Sequence, residues 1–235
     1  MGARPSRHEP ERVLRTKAEA RASYDRLSRW YDTLSERSER PSRLAGLELL
    51  AAAPGEHVLE LGFGTGRALV ALTGAVGPEG RVVGIDLSSG MRRKAVERLG
   101  RAGLAGRVEL IRGDACELPF DASRFDAIFS SFFLDLLDTP EIPECLGECR
   151  RVLAPGGRIV LVSMSSEGRP GLSTSLYLRA HRLFPRLVDC RPVPVERSLA
   201  REGFAIVRSL RRSMWGLAVE VVLASSPLSC PGRAG

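Results

Sequence analysis

Val58-Leu-Glu-Leu-Gly-Phe-Gly-Thr-Gly66, followed by Arg81-Val-Val-Gly-Ile-Asp86, is the stretch that decides the fold. The first run is an apolar strand entering a glycine-rich turn, and the second is an apolar strand ending in a carboxylate. Gly66 and Asp86 stand 20 residues apart, about what one helix and a return connection need before the next parallel strand ends beside the first. The two runs together predict a nucleoside-binding crevice at the carboxyl ends of neighbouring strands.

The glycines also narrow the nucleoside. A dinucleotide turn of the form G-x-G-x-x-G/A needs a small third residue, so that the helix packs close while its N-terminus holds a pyrophosphate. Here the glycines are Gly62, Gly64 and Gly66, that position is the bulky Arg67, and Glu60 precedes the first glycine by two. A carboxylate beside the turn repels a pyrophosphate and attracts a cationic ligand. The bland alternative is a tight turn with no ligand, since glycine supplies positive φ wherever a chain folds back.

Working outward, strands are predicted at 57–61, 81–86, 107–112, 125–130 and 157–164, with helices at 66–75, 89–103 and 140–153. This βαβ series calls for a parallel sheet covered on both faces. Phe204–Leu210 and Leu217–Ala224 read as two closing strands joined by a turn at Trp215-Gly216. Residues 9–38 read as one or two helices with Val13, Ala20, Tyr24, Leu27 and Tyr31 on one stripe, and Pro41 as the start of another helix through Leu50. Residues 170–202 read as irregular helices broken by Pro185, Pro192 and Pro194. The expected organisation is a disordered arm at 1–8, one domain over 9–225 and a tail at 226–235. Within the domain, 9–50 is a helical cap, 56–164 the nucleoside-binding core, 165–202 a substrate-side insertion and 203–225 a closing hairpin.

Composition excludes several classes. At 235 residues, 43% hydrophobic and 27% charged, the chain reads as one globular α/β domain. No segment reaches the roughly 20 apolar residues of a membrane span or resembles a signal peptide, so cytoplasmic residence is the default expectation. Five scattered cysteines indicate neither a disulfide framework nor a metal site, and Cys145 and Cys149 read as two buried thiols on one helix. The net charge of +7 comes with 33 arginines spread over the chain rather than clustered with aromatics, which favours a solvated surface over a nucleic-acid interface.

The motifs resemble those of class I S-adenosylmethionine (SAM) methyltransferases. Glu60-Leu-Gly-Phe-Gly-Thr-Gly66 is similar to their E-x-G-x-G-x-G motif, and Gly113-Asp-Ala-Cys-Glu-Leu-Pro-Phe120 to their G-D-A-x-x-L-P-F segment. Phe125-Asp-Ala-Ile-Phe-Ser-Ser131 is similar to their fourth strand, and Arg151-Val-Leu-Ala-Pro-Gly-Gly157 to their R-x-L-x-P-G-G turn. The resemblance implies a Rossmann-like, mostly parallel seven-stranded sheet with a C-terminal antiparallel hairpin and helices on both faces. It also implies SAM as cofactor. Asp86 would hold both ribose hydroxyls, with Leu87 beside it; Asp114 would accept from the adenine amino group while the Ala115 N–H meets a ring nitrogen. Glu60, Gly62, Phe63, Gly64, Gly66 and Ser130 complete the expected cofactor set. Met91 would cover the adenine face, or would simply fill the core. Tyr24 and Tyr31 would form a lid over the cofactor, or would pack an amphipathic helix.

Within the superfamily the chain looks most like the ubiquinone/menaquinone biosynthesis C-methyltransferases and their small-molecule relatives, on Tyr24-Asp25, Tyr31-Asp32, the L-P-F segment and Gly203-Phe204. It departs from them at Ala154, where a lysine is expected, and at Ser163, where a glutamate is expected. The acceptor implied is a small molecule or lipid-like compound, possible carbons being those of a quinol or phenol, with peripheral membrane contact compatible and the oligomeric state open. Candidates for a general base are Asp135, Tyr31 and His181; Asp138 reads equally well as a helix cap. The other readings are O- or N-methylation of a natural product or lipid headgroup, and a SAM-binding regulatory protein without turnover.

Overall fold

In the computed structural model the described residues are 31–165 and 192–228. Helix α1 (Tyr31–Leu50) precedes β1 (His57–Leu61), α2 (Arg67–Val76), β2 (Arg81–Asp86), α3 (Ser89–Arg101) and β3 (Val108–Arg112). Then follow β4 (Phe125–Ser131), a 3-10 turn (Leu134–Leu136), α4 (Glu141–Val152), β5 (Leu153–Met164), α5 (Val195–Arg201), β6 (Ala205–Met214) and β7 (Leu217–Ser225). The strands form one sheet of seven in the order β3-β2-β1-β4-β5-β7-β6. The first five pair in parallel and β7 pairs antiparallel with both β5 and β6.

This order places the functional region. The chain moves outward from β1 to β2 and β3, then returns to lay β4 on the other side of β1. The direction of winding therefore reverses between β1 and β4, and the loops leaving their carboxyl ends diverge to open a crevice. Burial explains why these residues make central strands. Leu59, Leu61, Val83, Ile85, Ile128, Ile159, Leu161 and Val222 face one way, in a core shared with Leu146 and Cys149 of α4 and Leu199 of α5. Val58, Val82, Phe129, Val160, Val162, Val219 and Val221 face the other, against Leu50, Leu69, Leu72, Ala95 and Leu99 of α1 to α3. Both faces are dry, so the strands read as unbroken apolar runs rather than alternating ones.

Several local findings differ from the sequence reading, and β6 runs on to Met214, past its expected end at Leu210. Pro41 does not begin a helix: α1 runs through it unbroken. Pro41 lies on the exposed side, where water can satisfy the carbonyl that loses its helical donor. The end of α1 is instead held by Arg158, which donates to the Leu50 and Ala51 carbonyls at 2.7 and 3.1 Å and pairs with Glu56 at 2.7 Å. β5 begins at Leu153, and the Pro-Gly-Gly turn survives as an interruption in its register with β4 between Phe125 and Ala127. Asp138 does not cap α4 with its side chain; the Glu141 carboxylate reaches back to accept from the Asp138 N–H at 2.7 Å.

Candidate functional site

The turn after β1 is built on positive φ. Gly62, Gly64 and Gly66 have φ of 62°, 50° and 78°, a region that residues with a Cβ avoid. Their surroundings differ. A Cβ on Gly62 would lie 2.5 Å from the Phe133 ring, and one on Gly66 would lie 2.9 Å from the Ala95 Cβ. These two glycines are filled from within the protein, by the segment after β4 and by α3. At Gly64 the only neighbour among the described residues is the Gly62 carbonyl at 4.0 Å, so none of them fills the middle of the loop. Phe63 turns away into the core, 3% exposed, against Gly84.

Two carboxylates border this loop. Asp86, at the end of β2, accepts from the Gly64 N–H at 2.9 Å and the Ser88 N–H at 2.8 Å. It ties the glycine loop to the start of α3, whose first turn is capped by Ser88 Oγ accepting from Met91 N–H at 3.1 Å. Glu60 is 2% exposed, and its Oε2 has no hydrogen-bond partner. Burial pushes its carboxyl well above the usual range; the Arg43 guanidinium opposes that shift and the Asp86 charge adds to it. A cation brought beside this carboxyl would favour its charged form and give the unpartnered oxygen a donor.

The remaining expected contacts surround the same rim. Asp114, half-buried after β3, accepts from the Cys116 N–H at 2.9 Å, and Ala115 is buried beside it. Met91 is 4% exposed yet belongs to neither core cluster. Leu87 is half-buried. Ser130, at the end of β4, donates to the Leu61 carbonyl at 3.2 Å and so bridges the two strands at the switch point.

Asp135 lies in the 3-10 turn after β4, which the sequence reading did not anticipate. It is fully buried and accepts from Ser163 Oγ and from the Met164 N–H. It thus fastens the turn that carries Phe133 to the end of β5. Tyr31 begins α1 and is described in its backbone alone, while Tyr24 and His181 lie outside the described residues. Three residues were missed. Arg43 acts on Glu60 from α1, and Phe133 covers Gly62. Glu220 is fully buried on β7, opposite Ser163 in register, with Ser165 Oγ donating to it at 2.5 Å. A carboxylate therefore reaches this rim from β7 beside Ser163, where the sequence comparison expected one on β5. No spacing marked any of the three, because each contact joins segments distant in the chain.

Known proteins share these features. Residues 58–157 match the family model described as methyltransferase domain. The ubiquinone/menaquinone biosynthesis C-methyltransferase UbiE of Ectopseudomonas mendocina is 32% identical over 72% of this chain and 64% of its own length. The match thus spans slightly under two thirds of that relative. Among solved structures, the cyclase SpnF superposes with a TM-score of 0.72 at 18% identity, covering 92% of this chain and 98% of the other. A SAM-dependent methyltransferase from Aquifex aeolicus gives 0.63 at 21% identity, covering 86% and 97%. Sheet order, closing hairpin and glycine turn agree with these matches, and the chain belongs to the class I SAM-dependent methyltransferases.

Proposed function

We propose that this protein moves the methyl group of SAM to a small or lipid-like acceptor, with a ring carbon of a quinol or phenol as the first candidate. The observation that carries the reading is Glu60: a buried carboxylate with an unpartnered oxygen, two residues before a glycine loop whose centre no described residue fills. SAM carries an ammonium and a sulfonium, so its charge suits that carboxylate. A pyrophosphate would have to approach Glu60 and Asp86 together, at a Coulombic cost.

In this reading Glu60 holds the amino-acid end, with the Gly62–Gly66 backbone along the chain of the cofactor. Asp86 holds the ribose while keeping the loop tied through Gly64 and Ser88, and Asp114 and Ala115 hold the adenine edge with Met91 on its face. Tyr24 is carried forward as a covering residue and Ser130 as a strut at the base of the site. When bound, SAM supplies an electrophilic methyl on a positively charged sulfur. What the protein must add is position and exclusion of water, because attack on a cation disperses charge and is favoured in an apolar pocket. Phe132, Phe133 and Met164 supply apolar surface at the adjoining strand ends. Asp135 has both oxygens engaged, so we assign it to holding that wall in place; Tyr31 and His181 stay as candidate bases for an acidic acceptor hydroxyl.

The quinol-type carbon is suggested by the kinship to UbiE, whose name describes C-methylation in quinone biosynthesis. Labelled SAM with a panel of quinols, phenols, amines and lipids tests it: transfer to a quinol carbon supports the reading, and transfer to oxygen or nitrogen acceptors alone replaces it. A SAM-binding protein without turnover is the second reading, favoured by the engaged state of Asp135. Transfer to any member of the panel excludes it.

A further inference from the structure

The hairpin that closes the sheet ends in an unusual pair. Trp215 and Gly216 form its two-residue tip between the paired Met214 and Leu217, with φ of 52° and 76°. Positive φ at both central residues is the requirement of a type I′ turn, which asparagine followed by glycine meets easily and a bulky aromatic does not. Trp215 is also 66% exposed. The largest side chain in the repertoire therefore stands in a costly backbone state with most of its surface in water. Neither feature serves the fold, since an asparagine there would relieve both.

The surroundings of the tip say what it fits. Arg208 and Arg212 are exposed on one face of β6 and Arg211 on the other, across from Glu220 in register, within a chain of net charge +7. The tip lies at the same end of the sheet as the glycine loop, three strands along from β1. Val219 pairs with Met164, the last residue of β5, and the Ser165 N–H donates to the Ala218 carbonyl at 2.8 Å. Trp215 and Gly216 thus project beyond the carboxyl end of β5, at the end of the sheet that carries the glycine loop.

We propose that this hairpin tip is an interfacial anchor that seats the protein on an anionic lipid surface, with Trp215 in the headgroup layer and the β6 arginines against lipid phosphates. Tryptophan suits that layer because its ring is apolar and its N–H is polar. One aromatic side chain binds a bilayer weakly, and the arginines supply the second signal that stable docking needs. The seat would turn the mouth of the site toward the membrane. That consequence rests on the proposed lipid-like acceptor, whereas the docking itself does not.

Co-sedimentation of the full chain with vesicles of phosphatidylcholine, with and without phosphatidylglycerol, tests the proposal. Binding is expected to the anionic vesicles and to weaken as salt rises. Trp215→Asn is expected to weaken it on the order of tenfold, from the lost apolar contact, without lowering the thermal midpoint, because asparagine suits the turn. Arg208→Gln and Arg212→Gln are each expected to cost about fivefold. In a Trp30→Phe background the emission of Trp215 is expected to shift to the blue on anionic vesicles. The proposal is overturned by equal binding of Trp215→Asn and wild type, by equal binding to neutral vesicles, or by sedimentation of the wild type alone through self-association. Binding of S-adenosylhomocysteine without vesicles is expected to be the same in Trp215→Asn and wild type, so failure of the cofactor reading would show separately.

Discussion

Replacing Glu60 by glutamine separates what that carboxylate costs the fold from what it contributes to binding. Glu60 is 2% exposed with one oxygen unpartnered, and burial holds its pKa above the ordinary 4.5. The folded state therefore keeps this proton more tightly than the unfolded state does. Glu60's own contribution to the stability of the ligand-free protein is full below pH 4.5 and is lost as pH rises through the raised value. Glutamine has no charge to bury, so Glu60→Gln should be at least as stable as wild type at neutral pH. Cofactor binding should move the other way. A hydrogen bond to a charged partner is worth about 1.5–3 kcal/mol, so losing the carboxylate should weaken SAM roughly 10- to 150-fold. Titration calorimetry in buffers of different ionisation enthalpy adds a sharper sign. Wild type should release protons on binding SAM at pH values below the raised pKa, with affinity rising until that pKa is passed, and Glu60→Gln should do neither. If the variant binds SAM as tightly as wild type, or retains the proton release, Glu60 is not the group that meets the cation.

Three other outcomes follow from the same geometry. Gly64→Ala should leave the thermal midpoint within a few degrees, since only a left-handed alanine costing about 1–2 kcal/mol is introduced, yet should weaken SAM strongly. Gly62→Ala, whose Cβ would meet the Phe133 ring at 2.5 Å, should destabilise more, and scanning calorimetry beside titration checks the contrast. The arginines beside Glu56 and Glu148 hold both carboxyls below the ordinary 4.5, so their stabilisation is present above that pH and lost as pH falls through the lowered values. Thermal midpoints against pH should therefore show an acid-side fall that Arg158→Met or Arg151→Met reduces, and an alkaline-side fall, from Glu60, that SAM removes. Asp135→Asn should lower the midpoint, by about 2–4 °C for each kcal/mol lost, and should lower kcat without altering the pH profile; a lost pH dependence would make Asp135 a base instead.

The parts legible in the sequence were those fixed by local chemistry. β1, β2 and β7 are apolar runs with glycine or a carboxylate at one end or both, β4 is a plain apolar run, and the structure places all four within a residue or two of their predicted bounds. The turn at Trp215-Gly216 was legible for the same reason. Pro41 misled because proline's usual place is the first turn of a helix, where its missing N–H costs nothing, whereas here the helix runs through it on its exposed side. The 3-10 turn at Leu134–Leu136 has no period of its own, and it exists because Asp135 finds Ser163 and Met164 across the sheet. Arg43 and Glu220 were equally silent, since their partners lie on other elements. The glycine loop could be read as a ligand site from spacing alone; that no described residue fills its middle glycine while its neighbours are filled by Phe133 and Ala95 required the packed structure.

The most direct test of the cofactor assignment is a titration of the full wild-type chain with SAM, beside NAD and beside the Asp86→Ala variant. Saturable binding of one SAM per chain is expected, with no competition from NAD and a strong loss of affinity in Asp86→Ala, where the ties to Gly64 and Ser88 are lost as well. Absence of SAM binding to the wild type, or displacement of SAM by NAD, would contradict the assignment.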